Sequence, residues 1–367
     1  GALVITEVEV NRADSYFEKV EKTDFLELNA QQAHAVEEMT CQIGQGGKPF
    51  LLEGVTGSGK TEVYLHLIER TLAMGKTAIV LVPEISLTPQ MTNRFISRFG
   101  DLVAIMHSGL SDGEKFDEWR KVRSGQAKVV VGARSAIFAP LDNIGAIIID
   151  EEHEATYKQE SNPRYHARDV ALLRAKSHGA VLVLGSATPS VEAFSWCQGG
   201  SCTMLELKNR ATRQVMPKVY TVDMREELKN GNRSILSDRL TELMEKCLSE
   251  HHQMMLFLNR RGYAGFVSCR SCGYVVKCPH CDVSLSVHRG GKMVCHYCGY
   301  ETQTVQNCPS CGSTYIGGFR AGTQQIEEIV KRKFPQARVL RMDMDTTKNK
   351  EGMRRSCRSL QMKKQTL

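Results

Sequence analysis

Eight cysteines fall into four C-x-x-C pairs within 43 residues: Cys269/Cys272, Cys278/Cys281, Cys295/Cys298 and Cys308/Cys311. Thiolates in paired knuckles suit tetrahedral zinc, and eight of them make two four-sulfur sites. Upstream, Gly54-Val55-Thr56-Gly57-Ser58-Gly59-Lys60-Thr61 has the glycine spacing of a loop whose N–H groups wrap phosphates. Lys60 would neutralise the β- and γ-phosphates of ATP, and the Thr61 hydroxyl would ligate Mg2+. A third cluster, Asp150-Glu151-Glu152-His153, follows the apolar run Ile147-Ile148-Ile149. Asp150 is suited to hold Mg2+ through water, and Glu151 to orient and deprotonate an attacking water. Either nucleotide motif alone would allow a kinase or a GTPase.

The bland readings are a disulfide framework, a glycine-rich turn and a solvated acidic turn. No secretory leader pattern opens the chain, and Cys41, Cys197, Cys202, Cys247 and Cys357 are scattered, so a reducing cytoplasm is expected. The net charge of +7 is not an argument for nucleic acid, because residues 346–367 carry +6 of it. No apolar run is long enough to span a membrane.

Such residues need elements that bring them together. Short, nearly continuous apolar runs at Phe50–Val55, Thr77–Val82, Leu102–Met106, Val129–Val131, Ala146–Ile149 and Val181–Leu184 read as strands buried on both faces. Amphipathic segments between them stop at Gly75 and Gly100. This predicts an open α/β parallel sheet with ligands at the carboxyl ends of its strands. A second unit is expected from a helix at Asp238–Ser249, a strand at Met254–Leu258, a helix at Thr323–Lys333 and a strand at Arg338–Leu340. The divisions are 1–27 (linker or remnant of a preceding domain), 28–207 (first lobe), 208–235 (connector) and 236–267 (start of the second lobe). They continue as 268–315 (zinc region), 316–345 (continuation of the second lobe) and 346–367 (aperiodic basic tail).

Asp150-Glu-Glu-His153 resembles the DExH box of superfamily-two helicases, with His153 as its fourth member, and Gly185-Ser186-Ala-Thr188-Pro resembles their coupling motif. Gln32 resembles their adenine-reading glutamine. Pro83–Pro89 and Gly132-Ala-Arg134-Ser135 resemble their single-strand contacts. With the eight cysteines and Phe257-Leu-Asn-Arg-Arg-Gly-Tyr263, the chain from about residue 28 to 347 resembles the primosomal protein N′ (PriA) family of bacterial replication-restart helicases. The resemblance implies a RecA-like first lobe, a two-zinc insert and an incomplete second RecA-like lobe. It also implies ATP-driven 3′→5′ unwinding of single-stranded and forked DNA, and work with primosome proteins and single-strand-binding protein. Residues 157–168 resemble the family's DNA-sensing aromatic-rich loop. Tyr157 and Tyr165 are expected to be exposed stacking faces, with Arg164 and Arg168 as phosphate contacts.

The inner spacing, C-x2-C-x13-C-x2-C, is that of a zinc ribbon, pairing Cys278, Cys281, Cys295 and Cys298 and leaving Cys269, Cys272, Cys308 and Cys311 for a second site. Sequential pairing is the alternative; the family shows the nested one. His280, His288 and His296 are not needed as ligands. After Thr347 the family's Gly-Thr-Gln-Met and arginine-bearing motifs do not follow, and the tail looks like translation out of frame. The expectation is therefore an impaired motor, or alternatively a non-enzymatic ATP-binding zinc adaptor. A nucleotide kinase fails because it needs no coupling motif 36 residues after its acidic box.

Overall fold

The computed structural model describes residues 21–84, 88–211, 217–258, 266–288, 291–318 and 322–343, in two units divided between Met216 and Pro217. The first unit has strands β1 (Phe50–Gly54), β2 (Thr77–Leu81), β3 (Val103–Met106), β4 (Val129–Gly132), β5 (Ile144–Asp150), β6 (Val181–Ser186) and β7 (Thr203–Leu207). All seven are parallel, in the order β3-β4-β2-β5-β6-β1-β7. Its helices are α1 (Ala30–Cys41), α2 (Lys60–Ala73), α3 (Pro89–Phe99), α4 (Asp112–Arg123), α5 (Ala167–His178) and α6 (Val191–Gln198).

The runs are continuous because both sheet faces are covered. Phe50, Leu52, Val80 and Ile148 join a core with Val63, Tyr64, Leu67 and Ile68 of α2. Their neighbours Leu51, Ile79 and Ile147 join the opposite core with Ala167, Ala171 and Ala175 of α5. Each such aliphatic side chain contributes about 1.5–3 kcal/mol on full burial. Sequence reading missed β7, an edge strand that lies beside β1 and alternates, with Glu206 exposed.

Residues 21–27, expected to close a linker, are fastened to the lobe. Thr23 Oγ1 donates to Ser97 Oγ at 3.0 Å, the Leu26 N–H donates to Glu62 Oε1 at 2.9 Å, and Phe25 meets Phe99 edge-on.

The second unit has α7 (Met224–Lys229), α8 (Asp238–Ser249), β8 (Val267–Cys269), β9 (Ser286–Val287), β10 (Lys292–Val294), β11 (Glu301–Gln303), β12 (Ile316–Gly318) and α9 (Thr323–Lys333). α7, capped by Asp223, lies in the stretch read as a connector. The strands expected at Met254–Leu258 and Arg338–Leu340 do not form. Met254, Leu256 and Val339 instead pack on a cluster of Leu236, Met244, Val330 and Phe334 between α8 and α9. Neither segment meets a ladder partner among the described residues, and an unpaired strand leaves its N–H and C=O groups unsatisfied. Asn259–Tyr263, Ile85–Leu87 and the tail from residue 344 lie outside the described residues.

Candidate functional site

The sheet order places β5, β6 and β1 side by side, so their carboxyl ends bring together three motifs far apart in sequence. β1 ends at Gly54 and α2 begins at Lys60, leaving a five-residue loop. Gly57 and Gly59 have φ of 81° and 82°, where glycine alone is unstrained. A side chain at Gly57 would point into open space, whereas one at Gly59 would strike the Gln32 amide. Gln32 braces the loop: its Oε1 accepts the Asn29 N–H at 2.9 Å, and its Nε2 donates to Ser58 O at 2.9 Å. One N–H and one lone pair of that amide remain for a base edge. Lys60 Nζ donates to Gly54 O at 2.8 Å, and the buried Ser58 Oγ has no hydrogen-bond partner.

A cleft of about 940 Å³ opens over this loop, lined by Gln32, Thr56–Glu62, Arg94, Arg98, Asp150 and Glu151. Its size, the helix amino terminus and the orphaned hydroxyl fit a nucleoside triphosphate with Mg2+. Gly59→Ala combines a left-handed backbone with the Gln32 collision, a cost of about 1–3 kcal/mol from the backbone alone. It should lower affinity for a fluorescent ATP analogue at least tenfold; unchanged binding would show that the loop needs neither feature.

Asp150 ends β5, and its Oδ1 accepts the Tyr64 hydroxyl at 2.9 Å. Burial pushes the Asp150 carboxyl above its usual range, and the Tyr64 hydrogen bond pulls it back. Burial also pushes the Tyr64 phenol well up, so it stays a donor. Tyr64 went unnoticed in the sequence, although it touches the acidic box 86 residues away. It fits because Gly185 has no side chain: a Cβ there would collide with the Tyr64 hydroxyl.

Glu151 has φ of 47°, a strained conformation for a non-glycine residue. Glu151 lines the cleft, while the next residue turns inward: Glu152 is buried, accepting the Ser190 N–H at 2.6 Å and the Ser190 hydroxyl at 2.9 Å. Glu152 therefore fixes the start of α6. His153 Nδ1 lies 2.8 Å from Ser186 Oγ and 3.7 Å from Glu151 Oε2, and Ser186 Oγ also accepts the Thr188 N–H at 3.0 Å. The acidic box and the Ser186–Thr188 motif are thus one hydrogen-bonded unit.

The aromatic-rich loop differs from expectation at Tyr157, which is 1% exposed, with its hydroxyl donating to Asp150 O at 2.6 Å. A ring sealed beneath the acidic box offers no stacking face, so that reading is corrected. Arg134 holds the loop from outside, donating to Thr156 O at 2.8 Å and Lys158 O at 2.7 Å. Tyr165 packs edge-on against Phe138 at 5.0 Å between centroids. Arg168 lies over Trp196 and 3.7 Å from Glu152, which ties it into the fold. Ser135 and Arg164 are exposed.

In the second unit the eight cysteines meet in the nested pairing: Cys269, Cys272, Cys308 and Cys311 in one cluster, Cys278, Cys281, Cys295 and Cys298 in the other. The sulfurs of each lie within 4.8 Å of one another, with Cys269–Cys311, Cys272–Cys308 and Cys278–Cys298 each at 3.6 Å. A tetrahedron with zinc–sulfur bonds of about 2.3 Å has edges of roughly 3.8 Å. The clusters fit two Zn2+. Each knuckle closes with a left-handed residue, Gly273, Asp282, Gly299 or Gly312, whose N–H returns to the carbonyl of the first cysteine. The Cys298 N–H brings the Cys295 thiol down to about 7, which favours the thiolate a metal needs. The imidazoles stand apart: His288 and His296 meet each other at 3.1 Å, and His280 packs on Tyr300.

Residues 25–191 match the family described as type III restriction enzyme, res subunit, and residues 278–302 match the PriA DNA helicase Cys-rich region domain. Replication restart protein PriA of Bacillus subtilis (strain 168) is 56% identical over 340 residues, covering 92% of this chain and 42% of that protein. The protein of the same name from Synechocystis is 47% identical over 343 residues, covering 89% of this chain and 41% of that one. The Haemophilus influenzae protein is 42% identical over 327 residues, covering 89% and 44%. The chain thus spans about two fifths of the length of these relatives.

Proposed function

We propose, for a chain that belongs to the family of replication restart protein PriA, that it carries the ATP-hydrolysing lobe and the zinc module of a DNA helicase. The whole protein would unwind forked DNA 3′→5′ at stalled forks in the cytoplasm, with primosome proteins and single-strand-binding protein as partners. Among the described residues no helix is long and apolar enough to cross a membrane.

The observation that carries the reading is the cleft lined by Lys60, Thr61, Asp150 and Glu151, with His153, 3.7 Å from Glu151, bonded to Ser186. Bound ATP with Mg2+ supplies the phosphoryl group and its charge. Lys60 and the loop N–H groups would hold the β- and γ-phosphates, and Thr61 and Asp150 would hold the metal. Glu151 takes the proton of the attacking water. His153, Ser186 and Thr188 pass the change at Glu151 to the Gly185–Pro189 turn, the coupling role implied by the family. Arg134, Ser135, Arg164, Tyr165 and Arg168 are the proposed DNA contacts, those of Arg134 and Arg168 requiring release from their present partners.

Steady-state ATP turnover, with and without saturating forked DNA, tests the reading. DNA should stimulate turnover, and Lys60→Ala should reduce it on the order of a hundredfold or more, since the phosphates lose their fixed cation. ATP binding without any DNA-stimulated turnover would favour the adaptor.

A further inference from the structure

Helix α4 is mounted with its acidic side chains inward. Asp117 and Glu118 are 5% and 1% exposed, whereas Phe116 and Trp119 of the same helix are 58% and 42% exposed. The cause lies at the sheet edge. β3 is the last strand in the order, so its outer N–H groups need an acceptor from elsewhere. Glu118 Oε2 accepts the Ile105 N–H at 2.8 Å, and Lys121 Nζ, 3.0 Å from Glu118 Oε1, balances the buried charge. A reciprocal capping box between Ser111 and Glu114 fixes the start of the helix. Rotating α4 to bury its aromatics would orphan both the Ile105 N–H and the Glu118 carboxylate. The outward aromatics are therefore a fixed feature of the fold, held against the hydrophobic effect.

The two rings lie side by side, 6.3 Å between centroids and 17° from parallel. The Arg120 guanidinium sits 5.9 Å from the Phe116 centroid, and Lys115 and Arg123 are exposed one turn before and one turn after Trp119, with Lys115 3.4 Å from Asp112. Lys115 also lines a pocket of about 230 Å³ with Met106, His107, Ser108, Leu110 and Ser135, at the carboxyl ends of β3 and β4. We infer that the Phe116–Trp119 face of α4 is a stacking platform for unpaired DNA bases, with Lys115 and Arg123 holding the flanking phosphates. An apolar protein surface would leave Arg123 unmatched and offer Lys115 nothing beyond its pairing with Asp112, whereas a single strand brings ring faces and negative charge together. The inference rests on the reading that the chain engages single-stranded DNA.

Trp119 and Trp196 are the chain's two tryptophans, so Trp196→Phe leaves Trp119 as the only indole reporter. Titrating that variant with a short oligothymidylate should quench Trp119 fluorescence. By fluorescence anisotropy of the labelled oligonucleotide, Trp119→Ala should weaken binding about tenfold, and Trp119→Phe should keep most of the affinity. An abasic strand of equal length should bind the parent and Trp119→Ala equally, a result that mere misfolding would not give. Undiminished affinity in Trp119→Ala without quenching, while the parent still binds, would overturn the platform and assign the face to a protein partner. Equal losses on normal and abasic strands would make Trp119 structural and also overturn it. A parent chain that binds neither strand would overturn the platform together with the DNA reading beneath it.

Discussion

Glu151→Gln is expected to bind ATP and Mg2+ as the parent chain does, while hydrolysing ATP on the order of 10²–10⁴ times more slowly. The amide keeps the size of the carboxylate and its place in the cleft but cannot accept the water's proton. The strained backbone at φ 47° is unchanged by the substitution, so Glu152 should still turn inward onto Ser190. Asp150→Asn should behave differently. Its Oδ1 holds the Tyr64 hydroxyl, and a neutral amide there removes the charge that attracts the metal, so the Mg2+ concentration for half-maximal nucleotide binding should rise. Single-turnover hydrolysis with the chain in excess, paired with Mg2+ titrations of nucleotide binding, separates the two. A shared metal defect with normal chemistry in both variants would end this division of labour.

What the sequence disclosed follows physical rules. Strands covered on both faces announce themselves as unbroken apolar runs, and six of the seven in the first sheet were visible that way. β7 escaped because an edge strand needs only one buried face. In the second unit the same cue misled, since a short apolar run packs as readily against helices as into a ladder; Met254, Leu256 and Val339 do the former. The nested cysteine clusters followed from ligand spacing, which is local. The clamp on Asp150 did not, because Tyr64 and Tyr157 reach it only once α2, β5 and the loop after β5 are assembled. Tyr157 lay among charged residues, and nothing in its neighbours indicated that its ring faces inward.

Removing zinc should cost the cysteine module its fold and leave the nucleotide lobe intact. The module's apolar core is small: Val267, Val276, Leu285 and Met293, completed by the ligands Cys278 and Cys295 themselves. Its strands are two or three residues long, below the length at which hairpins hold on their own. Metal binding must then supply the folding free energy, which for structural zinc is about 10–16 kcal/mol at neutral pH. Metal analysis should return two zincs per chain. A strong chelator should release both, abolish amide-exchange protection across residues 267–318 and leave ATP affinity unchanged. Cys278→Ser should release one zinc, from the inner site, because its sulfur lies against Cys298 and outside the cluster of Cys269, Cys272, Cys308 and Cys311. A ratio near one, nitrogen in the metal shell by X-ray absorption, or loss of the outer zinc from Cys278→Ser would each refute the nested eight-thiolate arrangement. Protection surviving full metal removal would show that the short strands and their core are sufficient without it.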